Sequence, residues 1–466
     1  MTDQTFDVIV IGGGPGGYVA AIRAAQLGLA TALVERDELG GVCLNWGCIP
    51  TKALLHTADV LRDIEGAAAL GIDTGPVRVD LQRVVARSRA VAQQLNRGVT
   101  GLLKKNKVAV IRGSARLTGP GRVVVDGKQP ATLSADAIVI ATGARPKSLP
   151  GIEPDGKLVW TSREAMVPDA LPKRLLVIGA GAIGVEFASF YRTLGSAVTI
   201  VEALPQILPV EDGEIAALAR GSFEAAGIVV HTETSIASLR RTKDGVAATL
   251  KSTNDSVEAT EVSFDRAILA VGVTGNVEEL GLEHTRVVTD RGFVRTNGRC
   301  ETDEPGIYAI GDVAGPPCLA HKASHEAIAC IEHIAGLDPH PLDRARVPGC
   351  TYSHPQVASI GLTERAAIAA GRSLRIGRFP LIGNGKAIAI GDSNGLIKTL
   401  FDSGTGELLG AHLVGPGVTE LIQGFAIAMG AETTEAELIA TVFPHPTLSE
   451  AMHESVLAAY GRAIHI

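Results

Sequence analysis

Two segments of the chain repeat one pattern 167 residues apart, counted from Gly12 to Gly179. Asp7-Val8-Ile9-Val10-Ile11 runs into Gly12-Gly13-Gly14-Pro15-Gly16-Gly17. Arg174-Leu175-Leu176-Val177-Ile178 runs into Gly179-Ala180-Gly181-Ala182-Ile183-Gly184. Each is a short apolar run, then G-x-G-x-x-G, then a helical pattern. The helices are expected to end at Leu27-Gly28 and Leu194-Gly195, where glycine suits a left-handed cap. A second apolar run follows each helix and ends in an acid, Glu35 or Glu202, 18 residues beyond Gly17 or Gly184 respectively. This pattern has a physical reason. The first glycine permits a tight turn, the second lets backbone approach a pyrophosphate, and the third lets helix pack on strand. Phosphates sit at the helix N-terminus, where amides are unpaired and the dipole is positive, and the acid accepts a ribose hydroxyl. A single copy is a weak signal, but two in one register lead us to expect two bound dinucleotides. Glu202 is followed by Ala203-Leu204-Pro205 with no nearby cation in sequence, so the second site should prefer NAD over NADP.

At 466 residues the chain exceeds one compact core, and length suggests about three domains. Hydrophobic residues at 46% and charged residues at 20% exclude a disordered chain. The 54 glycines follow no Gly-X-Y period, which excludes a collagen-like reading. A formal charge of −7 with no basic block argues against nucleic acid as a partner. No apolar run reaches the roughly 18 residues of a spanning helix. The N-terminus lacks the basic start and apolar stretch of a secretory signal. A cytoplasmic location without membrane contact is therefore expected.

Cys43 and Cys48 stand in Gly40-Gly41-Val42-Cys43-Leu44-Asn45-Trp46-Gly47-Cys48-Ile49-Pro50-Thr51-Lys52, before a helical pattern from about Pro50 to Asp63. That places Cys48 just before or within a first helical turn, where free amides favour thiolate. Residues five apart on an ideal helix have Cα atoms ~8.7 Å apart, and a disulfide needs less than about 7 Å. If the two bond, Cys43 must leave helical geometry, and Gly40, Gly41 and Gly47 make the bend cheap. Unpaired thiols in a loop are the plain alternative. The spacing does not suit a metal site, and none is expected. Beside a dinucleotide turn a reversible redox disulfide is favoured. Cys300, Cys318, Cys330 and Cys350 are scattered and read as small packing side chains.

The stretch Gly40–Lys52 resembles the redox-active motif of the flavin-dependent pyridine nucleotide-disulfide oxidoreductases, and the resemblance covers nearly the whole chain. Ile138–Pro146 resembles the family's exit from the flavin domain. Gly306–Val313, with Leu319–Ala323 behind it, resembles its second flavin motif. Tyr352–Gly361 resembles the entry to its dimerisation domain, and His445–Glu450 its C-terminal acid-base motif. The resemblance implies an α/β fold with two Rossmann-like domains, the NAD domain inserted in the FAD domain, and a C-terminal α+β dimerisation domain. The expected segments are 1–147 and 277–346 for FAD, 148–276 for NAD and 347–466 for dimerisation. It implies FAD contacts at Gly12, Gly14, Gly17, Glu35, Gly41, Lys52, Ala115, Thr142, Gly143, Asp312, Ala320 and His321. It implies NAD contacts at Gly179, Gly181, Ile183, Gly184, Glu186, Glu202 and Gly272, with Glu186 also pairing Lys52. Cys43 and Cys48 become the redox disulfide and His445 the acid-base oriented by Glu450.

The activity implied is oxidation of protein-bound dihydrolipoamide to lipoamide with NAD⁺. The implied partners are a second copy of the chain and the lipoyl domain and acyltransferase core of a 2-oxoacid dehydrogenase complex, or a lipoyl carrier protein. Each motif also has a plainer reading. Asp312 could be an ordinary helix N-cap. Lys52 could be a solvated surface lysine. Thr447 and Glu450 form a T-x-x-E capping box that alone explains a helix start, although Glu450 could cap in part and still face His445. The sequence departs from the family at Phe443, where a second histidine is frequent, at Trp46, and at Gly272–Asn276, which leaves the local loop contacts in question. Rival functions are a glutathione-type or other NAD(P)H-dependent disulfide reductase and a non-catalytic flavin-binding redox sensor or scaffold.

Overall fold

The computed structural model describes residues 2–128, 130–253 and 259–466, which divide into two compact units. The first comprises residues up to Leu54, Gln82–Lys147 and Gly272–Arg344. Its central strand, Thr2–Ile11, pairs in parallel with Thr31–Glu35 on one side and Ala131–Ile140 on the other. Ala109–Arg112 extends the sheet beyond Thr31–Glu35. The strand Ala131–Ile140 changes partner along its length. Ala131–Ser134 pair antiparallel with Arg122–Val125, and Ile138–Ile140 pair in parallel with Ile307–Ala309.

Parallel strands covered on both faces read as continuous apolar runs because neither face meets water. Accordingly Val8, Val10, Leu33 and Val139 pack with Ala20, Ala21 and Ala24 of the helix Pro15–Gln26. Ile9, Ile11, Val34, Ile138 and Ile140 pack on the opposite face with Leu117, Val123 and Leu133. The helix begins on Pro15, whose missing N–H costs nothing at that position. It ends at Gly28, in the left-handed region at φ +84°.

The second unit comprises Leu55–Leu81, Ser148–Val271 and Ala345–Ile466. It repeats the wound arrangement: Arg174–Ile178 lies between Ala197–Val201 and Arg266–Leu269, all parallel. The helix Ala182–Thr193 follows its glycine turn and ends before Gly195 at φ +104°. The C-terminal segment is an antiparallel sheet in the order Gly349–Thr351, Gln356–Gly361, Leu408–Gly415, Leu396–Asp402, Leu374–Pro380. The expected strands near 373–379 and 396–401 are both present, and the turn at 402–407 joins Leu396–Asp402 to Leu408–Gly415.

The unit boundaries differ from the expected segments, for identifiable reasons. Val273–Gly275 pairs antiparallel with Ala144–Pro146, so the chain rejoins the first unit at Gly272 and not at 277. Residues 55–81, expected in the flavin domain, fall in the second unit, where the Arg62 guanidinium donates to Thr193 Oγ1 at 2.9 Å. The inserted and C-terminal segments cluster together there. Buried Lys398 of the antiparallel sheet donates to Asp212 at 2.8 Å, at the start of the helix Gly213–Ala225. Among the described residues no helix is long and apolar enough to cross a membrane.

Candidate active site

The two glycine turns agree contact for contact. Gly12 and Gly179 have φ of +105° and +99°. A Cβ on Gly12 would lie 2.4 Å from Ala141 O, and one on Gly179 would lie 2.5 Å from Ala270 O. A Cβ on Gly17 would lie 1.8 Å from Gly12 O, and one on Gly184 2.0 Å from Gly179 O. These glycines are required by packing. The middle glycines differ, because a Cβ on Gly181 would meet no heavy atom within 4 Å and one on Gly14 only Gly41 Cα at 3.9 Å. The space over each turn is thus open to a ligand.

The acids match as well. Glu35 is buried and accepts the Gly13 N–H at 2.6 Å and the Asp37 N–H at 2.7 Å, one on each oxygen. Glu202 is buried and accepts the Ala180 N–H at 2.8 Å and the Leu204 N–H at 2.9 Å in the same way. Each carboxylate is aimed by backbone and retains lone pairs for a ribose hydroxyl.

A cavity of about 380 Å³ adjoins the first turn, and its lining includes Gly12, Glu35, Ala115 and Thr142, four of the expected FAD contacts. Arg36 and Arg145 line it too. Sequence reasoning did not single out either one, although Arg36 follows the signature acid. The atypical loop 272–276 is well held. Asn276 donates to Thr142 O at 2.8 Å, Thr142 Oγ1 donates to Asn276 O at 2.8 Å, and Arg145 forms an ion pair with Glu278 at 2.6 Å. Gly143, with φ +69°, accepts the Asn276 N–H through its carbonyl at 2.9 Å.

The cysteine pair is built onto this first turn. A short helix, Gly41–Trp46, carries Cys43, and a second, Cys48–Gly66, starts on Cys48. Gly47, at φ −154° and ψ −119°, breaks the two apart, so the departure from helical geometry falls at that glycine. Gly40 donates its N–H to Gly13 O at 2.8 Å, and a Cβ on Gly41 would lie 2.7 Å from Gly14 Cα. The cysteine helix therefore approaches the dinucleotide turn as closely as backbone allows. Cys48 is exposed and Cys43 half-buried. The adjoining Cys48 side chain, followed by burial, raises the Cys43 thiol far above its ordinary range, while Lys52 lowers it by less. The Arg89 guanidinium lies 3.8 Å over the Trp46 ring, which gives the unusual tryptophan a partner.

Asp312 lies within the 3₁₀ turn Gly311–Ala314 and is not its N-cap; Ile310 holds that position without a side-chain bond. Burial raises the Asp312 carboxyl, nearby Lys322 lowers it and Glu326 raises it, for a net rise. Ala320 opens the helix Ala320–Ile334, with His321 exposed beside it. Sequence reasoning did not assign roles to Lys322 and Glu326, which bind this turn from below. Cys300 and Cys330, scattered in sequence, are buried side by side, and the Cys300 side chain together with burial raises Cys330.

In the second unit Gly181, Ile183, Gly184 and Glu202 gather at the second turn, and Ile183 is exposed. Glu186, two residues beyond Gly184, is buried and accepts the Tyr352 N–H at 2.9 Å. Gly272 directly follows Val271, whose N would lie 3.2 Å from a Cβ on Gly179, and it is the first residue of the return to the first unit. His445 Nδ1 lies 2.9 Å from Glu450 Oε1, and Glu450 Oε2 accepts the Thr447 N–H at 2.9 Å. The capping box is therefore half formed. The helix Glu450–Ala459 has Ser449 as its N-cap, and the Thr447 hydroxyl donates to Pro444 O. Phe443 stacks on His453 with ring centroids 5.2 Å apart.

The open space over Gly14 and Gly181, the aimed acids and the cavity at Glu35 fit two dinucleotides. A dithiol against the first of them defines a flavin- and nicotinamide-dependent disulfide oxidoreductase. The chain belongs to the pyridine nucleotide-disulphide oxidoreductases: residues 6–327 match that family and residues 347–456 match its dimerisation domain. It is a flavoprotein disulfide oxidoreductase using FAD and NAD. It is 55% identical to the dihydrolipoyl dehydrogenase of Rhizobium etli, with 99% of each chain covered. It is 54% identical to that of Zymomonas mobilis, with 100% of each covered. Among solved structures, LpdA from Mycobacterium tuberculosis superposes with a TM-score of 0.90 at 30% identity, covering 97% of this chain and 99% of that one.

Proposed function

We infer that the chain oxidises protein-bound dihydrolipoamide to lipoamide with NAD⁺ as acceptor, through a redox disulfide between Cys43 and Cys48. The observation that carries this is the cysteine pair on adjoining helices held against the first dinucleotide turn by the Gly41–Gly14 approach. The identity to dihydrolipoyl dehydrogenases over the full chain supports the choice of dithiol.

His445, its Nδ1 held by Glu450, has Nε2 left to take a proton from one substrate thiol. The resulting thiolate attacks Cys43 Sγ in the disulfide, and Cys48 leaves as a thiolate. The second substrate thiol then attacks the mixed-disulfide sulfur on the substrate side, so that lipoamide leaves and Cys43 is released and protonated. The negative charge is best held on Cys48, because that thiolate stands at its helix N-terminus. When bound, FAD and NAD supply the two-electron transfer that restores the disulfide.

The working form is a homodimer, with His445 of one subunit serving the dithiol of the other. The lipoyl group arrives on the lipoyl domain of a 2-oxoacid dehydrogenase complex or on a lipoyl carrier protein. The reaction is placed in the cytoplasm. Cys48→Ser should abolish lipoamide turnover while the protein keeps the visible absorbance of bound flavin. Normal turnover by that variant would refute the mechanism.

A further inference from the structure

We propose that Lys322 and Glu326 are positioning residues for the flavin site, clamping the Gly311–Ala314 turn so that Asp312 is presented in one place beside the Lys322 ammonium. The proposal rests on the reading of Asp312 as a flavin contact and extends it to two residues beneath.

Lys322 and Glu326 lie one helical turn apart on Ala320–Ile334 with side chains 0% and 4% exposed, and they pair at 3.3 Å. Lys322 Nζ donates to Gly311 O at 2.9 Å and to Gly315 O at 2.7 Å. Glu326 Oε2 accepts the Gly311 N–H at 2.8 Å, and Oε1 accepts Arg344 at 3.0 Å. Both ends of the turn bearing Asp312 are thus tied to one buried ammonium.

Those ends are glycines with φ of +72° and +93°, which without a tie would leave the turn poorly defined. Stability alone does not call for this solution, because a buried ion pair adds little over a well-packed apolar pair. Fixed placement of a polar group does call for it. The charges also reach further. Asp312 feels Lys322 and Glu326, Cys318 feels these three and Lys147, and Cys43 feels Asp312. The clamp therefore borders the dithiol as well as the flavin turn.

Lys322→Met removes both carbonyl ties and the positive charge that favours ionised Asp312. FAD release, followed by recovery of flavin fluorescence, should be about tenfold to a hundredfold faster, the size of a lost charge-assisted hydrogen bond. The loss should be larger at pH 6 than at pH 8, because without Lys322 the Asp312 carboxyl takes up its proton at higher pH. Unchanged release from a folded variant, or a loss equal at both pH values, would overturn the proposal. Should Lys322→Met fail to fold, the variant Lys322→Met/Glu326→Met removes both buried charges and is expected to melt near the wild-type temperature as apoprotein while releasing FAD faster. If that double variant holds FAD as the wild type does, the proposal fails. Asp312→Asn separates the two readings. Wild-type FAD retention there overturns the flavin role of Asp312, whereas faster release there with unchanged Lys322 variants overturns only the clamp.

Discussion

His445 Nδ1 lies 2.9 Å from Glu450 Oε1, and the second oxygen of the same carboxylate is tied to the Thr447 N–H at 2.9 Å. A carboxylate held on both oxygens cannot swing away from the ring, so the imidazole keeps Nε2 outward. Burial raises the Glu450 carboxyl, but the Thr447 N–H and His445 lower it by more, for a net fall. Its orienting charge is therefore present at all pH values above the ordinary glutamate range, and is lost only as pH falls through the lowered value. An acid limb between about pH 5 and 8 does not come from Glu450. His445→Gln should slow the thiol half-reaction by about 10²- to 10⁴-fold, and Glu450→Gln by about tenfold. Stopped-flow reduction of bound FAD by NADH should stay near the wild-type rate in both. Equal losses in the two half-reactions would count against the assignment.

The two glycine turns can be broken separately. Gly184→Ala sets a Cβ 2.0 Å from Gly179 O and should abolish NADH binding in a protein that still carries FAD. Gly17→Ala sets one 1.8 Å from Gly12 O and should yield protein without flavin. Flavin absorbance and NADH titration of the purified variants check both, and FAD in Gly17→Ala at wild-type stoichiometry would contradict the reading.

The Glu202 carboxylate is aimed by Ala180 and Leu204, and its free lone pairs favour a ribose hydroxyl over a phosphate. Glu202→Ala should raise the KM for NADH about tenfold, the cost of a hydrogen bond to a charged group. Adding Leu204→Arg, at an exposed position, should turn preference toward NADPH. Steady-state kinetics with both nucleotides decide, and an unchanged NADH preference in the double variant would speak against Glu202.

Lys398 ties the inserted and C-terminal segments within the second unit, reaching Asp212 at 2.8 Å, Glu364 at 2.6 Å and Glu214 at 3.1 Å. Burial lowers Lys398, but these partners raise it for a net rise; burial raises Asp212, but Lys398 and the Glu364 N–H lower it for a net fall. The Asp212 contribution is present above the ordinary aspartate range and lost as pH falls through the lowered value. The Lys398 contribution is full below the ordinary lysine range and lost as pH rises through the raised value. Lys398→Met should cost roughly 3 kcal/mol. The Tm difference from wild type should be steady from about pH 5 to 9 and shrink in stronger acid. A difference that grows in acid would rule this out.

Much of the site was legible in local pattern. The repeat at Gly12 and Gly179, the caps at Gly28 and Gly195, and a helix beginning near Pro50, observed from Cys48, all follow from short-range rules. Turn geometry and helix ends depend on neighbours within a few residues. The capping box at Thr447 was legible only in half, because Glu450 had two candidate partners and the fold divided its oxygens between them. The N-cap reading of Asp312 did not hold, since its turn is shaped by Lys322 from the next helix.

The sequence by itself determined that this chain has two dinucleotide turns, an acid for each and a cysteine pair beside the first. These are fixed by residue type and spacing, because only glycine can stand where a Cβ would strike backbone. Tertiary structure alone decided what surrounds them. It placed Gly41 against Gly14, tied Asn276 to Thr142, buried Lys322 under the Asp312 turn and brought residues 55–81 and 272–276 into units other than those expected. Such contacts join residues far apart in the chain, where partners are selected by packing and by the need to satisfy buried charge, and no local spacing records that selection.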